Sequence, residues 1–289
     1  MTGFDWDGRR AAPVARLMDP HVHFDGDLKQ LETLAGVQDR CRVECAFVIS
    51  PRTPGPDWLR QLDSFLPIGK RAVPFYRVDM TRGDPDEVRA AFDAGYWGVK
   101  IISPNRAYDD RFYDPMFARI EALKMPVLFH VGLLGKGEYE RRIGCGMSLM
   151  RAGMLDTIAS RFPELLIQGA HLGNPDIAEA ILGSVYSPNL AWDASGGCRH
   201  LLRVAPDLLA APMGGRADLW NRIMWATDTV TGVFAPPVAD GWPSHYEYQL
   251  AFWQDILSRM PAPPTPDQLD LFFHGNAAAR LGRSKANRG

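Results

Sequence analysis

The sequence predicts an α/β fold, a closed (β/α)8 TIM barrel, and three observations carry that expectation. Short β-branched or apolar runs alternate with amphipathic stretches along almost the whole chain. There are eight such runs, and their starts recur about every 30 residues, the length of one βα unit. Eight parallel strands suit closure, and a barrel leaves no edge strand exposed, which favours it over an open doubly wound sheet. The runs cover residues 16–23, 43–50, 72–78, 97–103, 126–131, 165–171, 190–194 and 223–228. Helix starts between them are marked chemically. Asp84-Pro85-Asp86-Glu87 offers a cap, a first-turn proline and early acidic residues before 88–95, and Asn174-Pro175-Asp176 does the same before 177–183. Residues 148–162 form an amphipathic stretch that stops at Pro163. The proline-rich segment 261–268 is followed only by a short helical end, so residues 1–289 read as one barrel domain with a C-terminal helical cap over about 261–289.

Composition narrows the function classes. A chain of 289 residues that is 46 % hydrophobic can bury a large core, and its net charge of −2 gives no electrostatic footprint for nucleic acid. Cys41, Cys45, Cys145 and Cys198 are too few and too scattered for a disulfide framework, which fits a reducing compartment. Cys41 and Cys45 lack the spacing and downstream pair of a zinc knuckle. The N-terminal ten residues do not resemble a signal peptide, and no run approaches a membrane span, so a cytoplasmic location is expected. Residues 283–289 read as a solvated basic tail. No glycine-rich phosphate loop follows a strand. The expected partner is a small-molecule substrate, with neither nucleic acid nor a membrane, and homo-oligomerisation stays open.

Barrel enzymes build their sites at the C-terminal ends of the strands, and this chain puts its rare polar residues there. His21 and His23 end the first run, His130 the fifth, His171 the sixth and Asp228 the eighth. Residues two apart on a strand share a side, so His21 and His23 can both enter the mouth as half a metal site. His130 and Asp228 would add a nitrogen and a carboxylate oxygen, a set suited to zinc or another divalent first-row metal. His200, His245 and His274 fall on loops or helices instead.

The elements Asp-Pro-His-Val-His-Phe (19–24), Gly-Tyr-Trp-Gly-Val-Lys (95–100), Phe-His (129–130), Gly-Ala-His-Leu-Gly (169–173), Ala-Thr-Asp (226–228) and Gly-Asn-Ala-Ala-Ala-Arg-Leu (275–281) occur in this order. Together they resemble the amidohydrolase superfamily, in particular the amidohydrolase-related branch with aminocarboxymuconate-semialdehyde decarboxylase, aromatic acid decarboxylases and several lactonases. The resemblance implies a metal-dependent hydrolase-like barrel. It makes His21, His23, His130 and Asp228 the ligands of one divalent metal ion, expected to be zinc, and His171 and Asp228 the groups that move protons. Because the branch binds one metal, Lys100 is expected to be a charged donor to substrate in or near the mouth, not a carboxylated bridge between two metals. His21 stands where some aromatic acid decarboxylases carry glutamate. After Asp228 the chain departs from the branch, and the aromatic-containing stretch through residues 241–243 reads as a lid or pocket wall.

Arg106, Lys136, Arg141 and Arg142 follow the fourth and fifth runs, and Arg106 is the first choice to receive a substrate carboxylate. Cys145 is not expected to be a nucleophile. The leading functional expectation is hydrolysis of a lactone, amide or related carbonyl of a small organic acid by a metal-activated water. The alternatives are metal-dependent nonoxidative decarboxylation of an aromatic or unsaturated carboxylic acid, and a noncatalytic barrel serving as a binding subunit.

Overall fold

The computed structural model describes residues 14–24, 26, 28–64, 72–214, 216–230 and 245–286. The N-terminal ten residues, nearly all of the expected lid and the last three residues of the tail lie outside that set. The strands are β1 (Leu17–His23), β2 (Val43–Ile49), β3 (Ala72–Arg77), β4 (Gly98–Ile101), β5 (Val127–Phe129), β6 (Ile167–Gly169), β7 (Leu190–Asp193), β8 (Ile223–Met224) and β9 (Thr229–Val230). They form one parallel sheet in the order β8-β7-β6-β5-β4-β3-β2-β1-β9. The eighth run, 223–228, is strand only at its start: β8 pairs with β7, and β9, just past the run, pairs with β1 through Val22↔Thr229 and His23↔Val230. One stretch of chain therefore meets β7 at its start and β1 at its end, which carries the ring of strands round. Between the two, Trp225 leaves the ladder and donates its N–H to Phe272 O at 2.7 Å.

Strand alternation sorts the core into two groups. On β2, Cys45, Phe47 and Ile49 face inward with Met18, Phe75, Leu128 and Met224, while Ala46 and Val48 face the helices. Val99, Val127 and Ile167 pack in the outer group against Val88, Leu155, Ile158 and Ile177. Both faces of each strand are thus covered, which is why the runs read as nearly continuous apolar segments. Where β6 lies beside β7, Gly169 is in register with Trp192, and a Cβ at Gly169 would lie 2.2 Å from the indole. Only glycine admits that fully buried ring.

The helices begin where their capping signals stand. Asp84 accepts from Asp86 N at 2.9 Å ahead of the helix Pro85–Ala94, and Gly95 ends it in the left-handed region. Ala152–Arg161 and Ile177–Gly183 are helical as expected. At the C-terminus, Thr265 and Gln268 cap the helix Pro266–Asp270 reciprocally, and a π-helical turn at Leu271–Gly275 leads into the helix Asn276–Ala286. Asn276 anchors this segment by donating to Trp220 O and Ile223 O at 2.7 and 2.6 Å, and Ala277 joins the inner core. No helix among the described residues is long and apolar enough to cross a membrane.

Candidate metal centre and active site

At the C-terminal ends of the strands lies a cavity of about 590 Å³, lined in part by His23, His130, His171 and Asp228. His21 and His23 project to one side of β1, with their Nε2 atoms 3.3 Å apart. Asp228 Oδ1 lies 3.3 Å from His21 Nε2 and 3.4 Å from His23 Nε2. Three donor atoms converge, and their chemistry fits a divalent cation. Asp193 Oδ2, 3.1 Å from His21 Nδ1, accepts the N–H of that nitrogen and leaves the lone pair on Nε2. Burial pushes His23 down to about 4 against the raising influence of Asp228, so its ring is neutral. Burial also works to raise Asp228, but His21, the bond from His23 and the nearby His171 hold its carboxyl well below the usual range.

Lys100 is wholly buried on β4 and places Nζ 2.9 Å from His21 Nε2. Burial draws the ammonium down to about 8 against the pull of Asp228 and Asp193, and Arg77 adds to the lowering. The ammonium donates to the lone pair that a metal would use, so lysine and metal compete for His21. Lys100 is not among the cavity-lining residues; its partner is His21, not the open space a substrate would enter.

His130, expected as the fourth ligand, stands apart from this triangle. Its Nε2 lies 3.0 Å from Leu133 O, and its Nδ1 lies 3.2 Å from His171 Nε2. His171 Nδ1 is 3.2 Å from Ser195 O, while the Ser195 hydroxyl donates to Asp193. With each carbonyl accepting one N–H, the facing nitrogens of two neutral rings both carry lone pairs. Burial lowers both histidines, most strongly His130, where His171 adds to the effect. The Ser195 hydroxyl also lies 3.0 Å from His171 Nδ1, and by donating there instead it leaves His171 Nε2 free to donate to His130 Nδ1.

Asp193, at the C-terminal end of β7, ties these groups together, and sequence reading passed it over. It is fully buried and accepts from His21 Nδ1, Gln168 Nε2 at 2.8 Å, His171 N at 3.1 Å, Ser195 N at 3.2 Å and the Ser195 hydroxyl. Burial opposes its ionisation, yet His21 and His171 hold the carboxyl far below its ordinary value. His171 and Asp228 have φ of 61° and 55°, in the left-handed region. Such backbone costs about 1–3 kcal/mol per residue unless its surroundings fix it. The bonds His171 N to Asp193 Oδ1 and Asp228 N to His21 O, 2.9 Å, supply that fixing. Gly196, another missed position, has φ of 54°, and a Cβ there would come within 2.6 Å of His171 Nδ1 and 2.8 Å of Asp228 Oδ2.

Arg106 does not reach the mouth. The turn Arg111–Tyr113 follows it closely, so its guanidinium stacks over Phe112 at 4.7 Å beside Asp110 at 3.7 Å, half exposed. Lys136, Arg141 and Arg142 are likewise not among the described residues lining the cavity; the cations that do line it are Arg52 and Arg77. Cys145 is buried, and burial raises its thiol, which suits packing. His274 bonds Glu44 at 3.0 Å, and residue 44 lies near the start of β2, at the opposite end of the barrel.

The family model described as Amidohydrolase matches residues 48–283, a span that includes His130, His171 and Asp228 and begins after His21 and His23. Among solved structures, an uncharacterised TIM-barrel protein from Bordetella bronchiseptica is similar at 15 % identity and a TM-score of 0.64, over 93 % of this chain and 99 % of that one. An amidohydrolase from Burkholderia multivorans with bound zinc is similar at 14 % identity and a TM-score of 0.62, over 93 % and 99 %. A probable 2-pyrone-4,6-dicarboxylic acid hydrolase from Acinetobacter baumannii with citric acid bound is similar at 12 % identity and a TM-score of 0.58, over 92 % and 99 %. No curated protein matches the sequence. The structural likenesses agree on the TIM-barrel fold, and the matched family model covers most of the chain: this protein belongs to the amidohydrolase family and is an enzyme.

Proposed function

We propose that the enzyme hydrolyses a lactone, amide or related carbonyl of a small organic acid, using one zinc ion held by His21, His23 and Asp228. The observation that carries this reading is the convergence of two imidazoles and one carboxylate at a cavity large enough for a small organic molecule. When bound there, the metal supplies an activated water and a positive charge for the developing oxyanion. The chain's own groups handle the proton. Asp228 Oδ2 and the His171 ring face the same point beside Gly196, so a proton accepted by Asp228 has His171 as its neighbour. Asp193 fixes the His21 tautomer and the His171 backbone while this occurs. Zinc bound in the Burkholderia protein and citric acid in the Acinetobacter protein support the choice of metal and of substrate class.

The test joins metal analysis of purified protein to turnover of a panel of lactones, amides and carboxylic acids in water labelled with heavy oxygen. One divalent ion per chain, and label in a new product carboxylate, is the expected result. Full activity after exhaustive chelation overturns the proposal. Release of CO2 with solvent hydrogen at the vacated carbon replaces hydrolysis by decarboxylation.

A further inference from the structure

One wall of the cavity carries two guanidinium groups and a single carboxylate. Arg77 ends β3, Arg52 follows the end of β2, and both line the cavity. Arg77 Nη2 donates to Ser103 Oγ at 3.2 Å and lies 3.9 Å from Glu140 Oε1. Arg52 Nη2 is 3.5 Å from the same oxygen, and its guanidinium sits over the Tyr139 ring at 3.3 Å. Glu140 is already engaged, accepting from Ser103 Oγ at 3.0 Å and from Gly137 N at 3.1 Å.

Neither arginine contact with Glu140 is as short as an ordinary N–H···O bond, so neither guanidinium is held by a bidentate carboxylate. Arg52 Nε is buried and has no acceptor among the described residues. Two positive charges face one negative charge, which leaves one positive charge in excess on a wall where the Arg77 side chain is only 18 % exposed. A cation in such a place is costly unless an anion completes it, and the planar guanidinium fork matches a carboxylate in shape. Phe24, Ile49, Ile102 and Leu133 give much of the remaining lining an apolar character. Arg77 is in register with Lys100, whose Nζ reaches His21, so the arginine wall adjoins the His21, His23 and Asp228 group.

We propose that Arg52 and Arg77 together bind one carboxylate of an apolar-bodied substrate, and that this carboxylate is not the group that reacts. The last clause rests on the hydrolytic reading of the adjoining site. The charge count admits one such carboxylate, making the preferred ligand a monoanion at this wall.

Calorimetric titration of the purified, metal-containing protein with benzoate, and with acetophenone as an uncharged ligand of similar shape that cannot be hydrolysed, tests the assignment. The expected result is that benzoate binds at least about tenfold more tightly than acetophenone. Arg77→Met and Arg52→Met each abolish most of that preference while leaving acetophenone affinity and metal content unchanged, and Arg77→Lys keeps part of it. Arg52, whose side chain is 33 % exposed, is the variant less exposed to a folding defect. A wild-type protein without the preference overturns the assignment, as does a preference that survives both methionine variants. Repeating the titration after chelation separates the two proposals. An arginine-dependent preference that persists after chelation keeps this site even where activity also survives chelation and the metal hydrolase falls, whereas metal-dependent hydrolysis without the preference does the reverse.

Discussion

Replacing Asp193 by asparagine tests the link between the buried network and the metal centre. The Oδ1 of asparagine can keep the bonds from His171 N, Ser195 N and the Ser195 hydroxyl. The amide nitrogen then occupies the place of Oδ2, which accepts from His21 Nδ1 at 3.1 Å and Gln168 Nε2 at 2.8 Å. Two bonds to a charged acceptor become donor–donor contacts, a gross loss of about 3–6 kcal/mol at roughly 1.5–3 kcal/mol each. Removing a buried charge returns part of this, leaving a net destabilisation of about 3 kcal/mol. For a chain of this size that lowers Tm by about 5 °C. His21 escapes its clash by moving the proton to Nε2, which withdraws the lone pair from the metal, so metal affinity falls about 10- to 100-fold. Calorimetry and metal titration of wild type and Asp193→Asn measure the two effects. Unchanged metal affinity would refute the argument that Asp193 sets the His21 tautomer, whatever happens to Tm.

His23→Ala should release the metal with the circular dichroism spectrum retained, because His23 lies at the cavity and a fifth of its side chain is exposed; retained metal would remove it from the ligand set. His171→Asn should keep the metal and lower kcat by about 100-fold or more, the usual scale of acid–base assistance, and metal analysis with steady-state kinetics decides this. If the metal is lost instead, His171 is itself a ligand. Gly196→Ala should lower kcat/KM by at least about tenfold, because the new methyl meets both His171 and Asp228. Wild-type kinetics in that variant would show that the loop yields freely.

Much of the fold is written in local pattern. Asp84 with Pro85 marks a helix start, and the alternating run from Cys45 to Ile49 marks a strand with two covered faces. The observed strands mostly end earlier than the runs, although the next residue often keeps a bond to the neighbouring strand, as Ser50 N does to Phe75 O and His130 N to Ile101 O. Residues 126–131 shrink to Val127–Phe129, which places His130 beyond β5. The early end of β8 within the eighth run has a cause outside the run. Trp225 bonds to Phe272 from the C-terminal segment, a partner too distant in sequence for any local period to announce.

The site was legible where a strand fixes direction and illegible where a loop does. His21 and His23 share a face because both lie within β1, so their spacing alone brings the two nitrogens together. Arg106 lies past β4, where no period constrains the side chain, and nearby Phe112 and Asp110 decide where it goes. His130 shows the same effect one residue past β5: its place at the cavity follows from position, but its ring turns to Leu133 O and His171. Asp193, Gln168 and Lys100 carried a signal that was available. Each is a polar residue inside an otherwise apolar strand, where burial is unfavourable unless a partner is present. Applied to β3, the same reasoning singles out Arg77, whose partners within the chain supply less negative charge than two arginines require. A buried charge within a strand therefore points to whatever completes it: for Asp193 that is the chain itself, and for Arg77 with Arg52 it is a ligand.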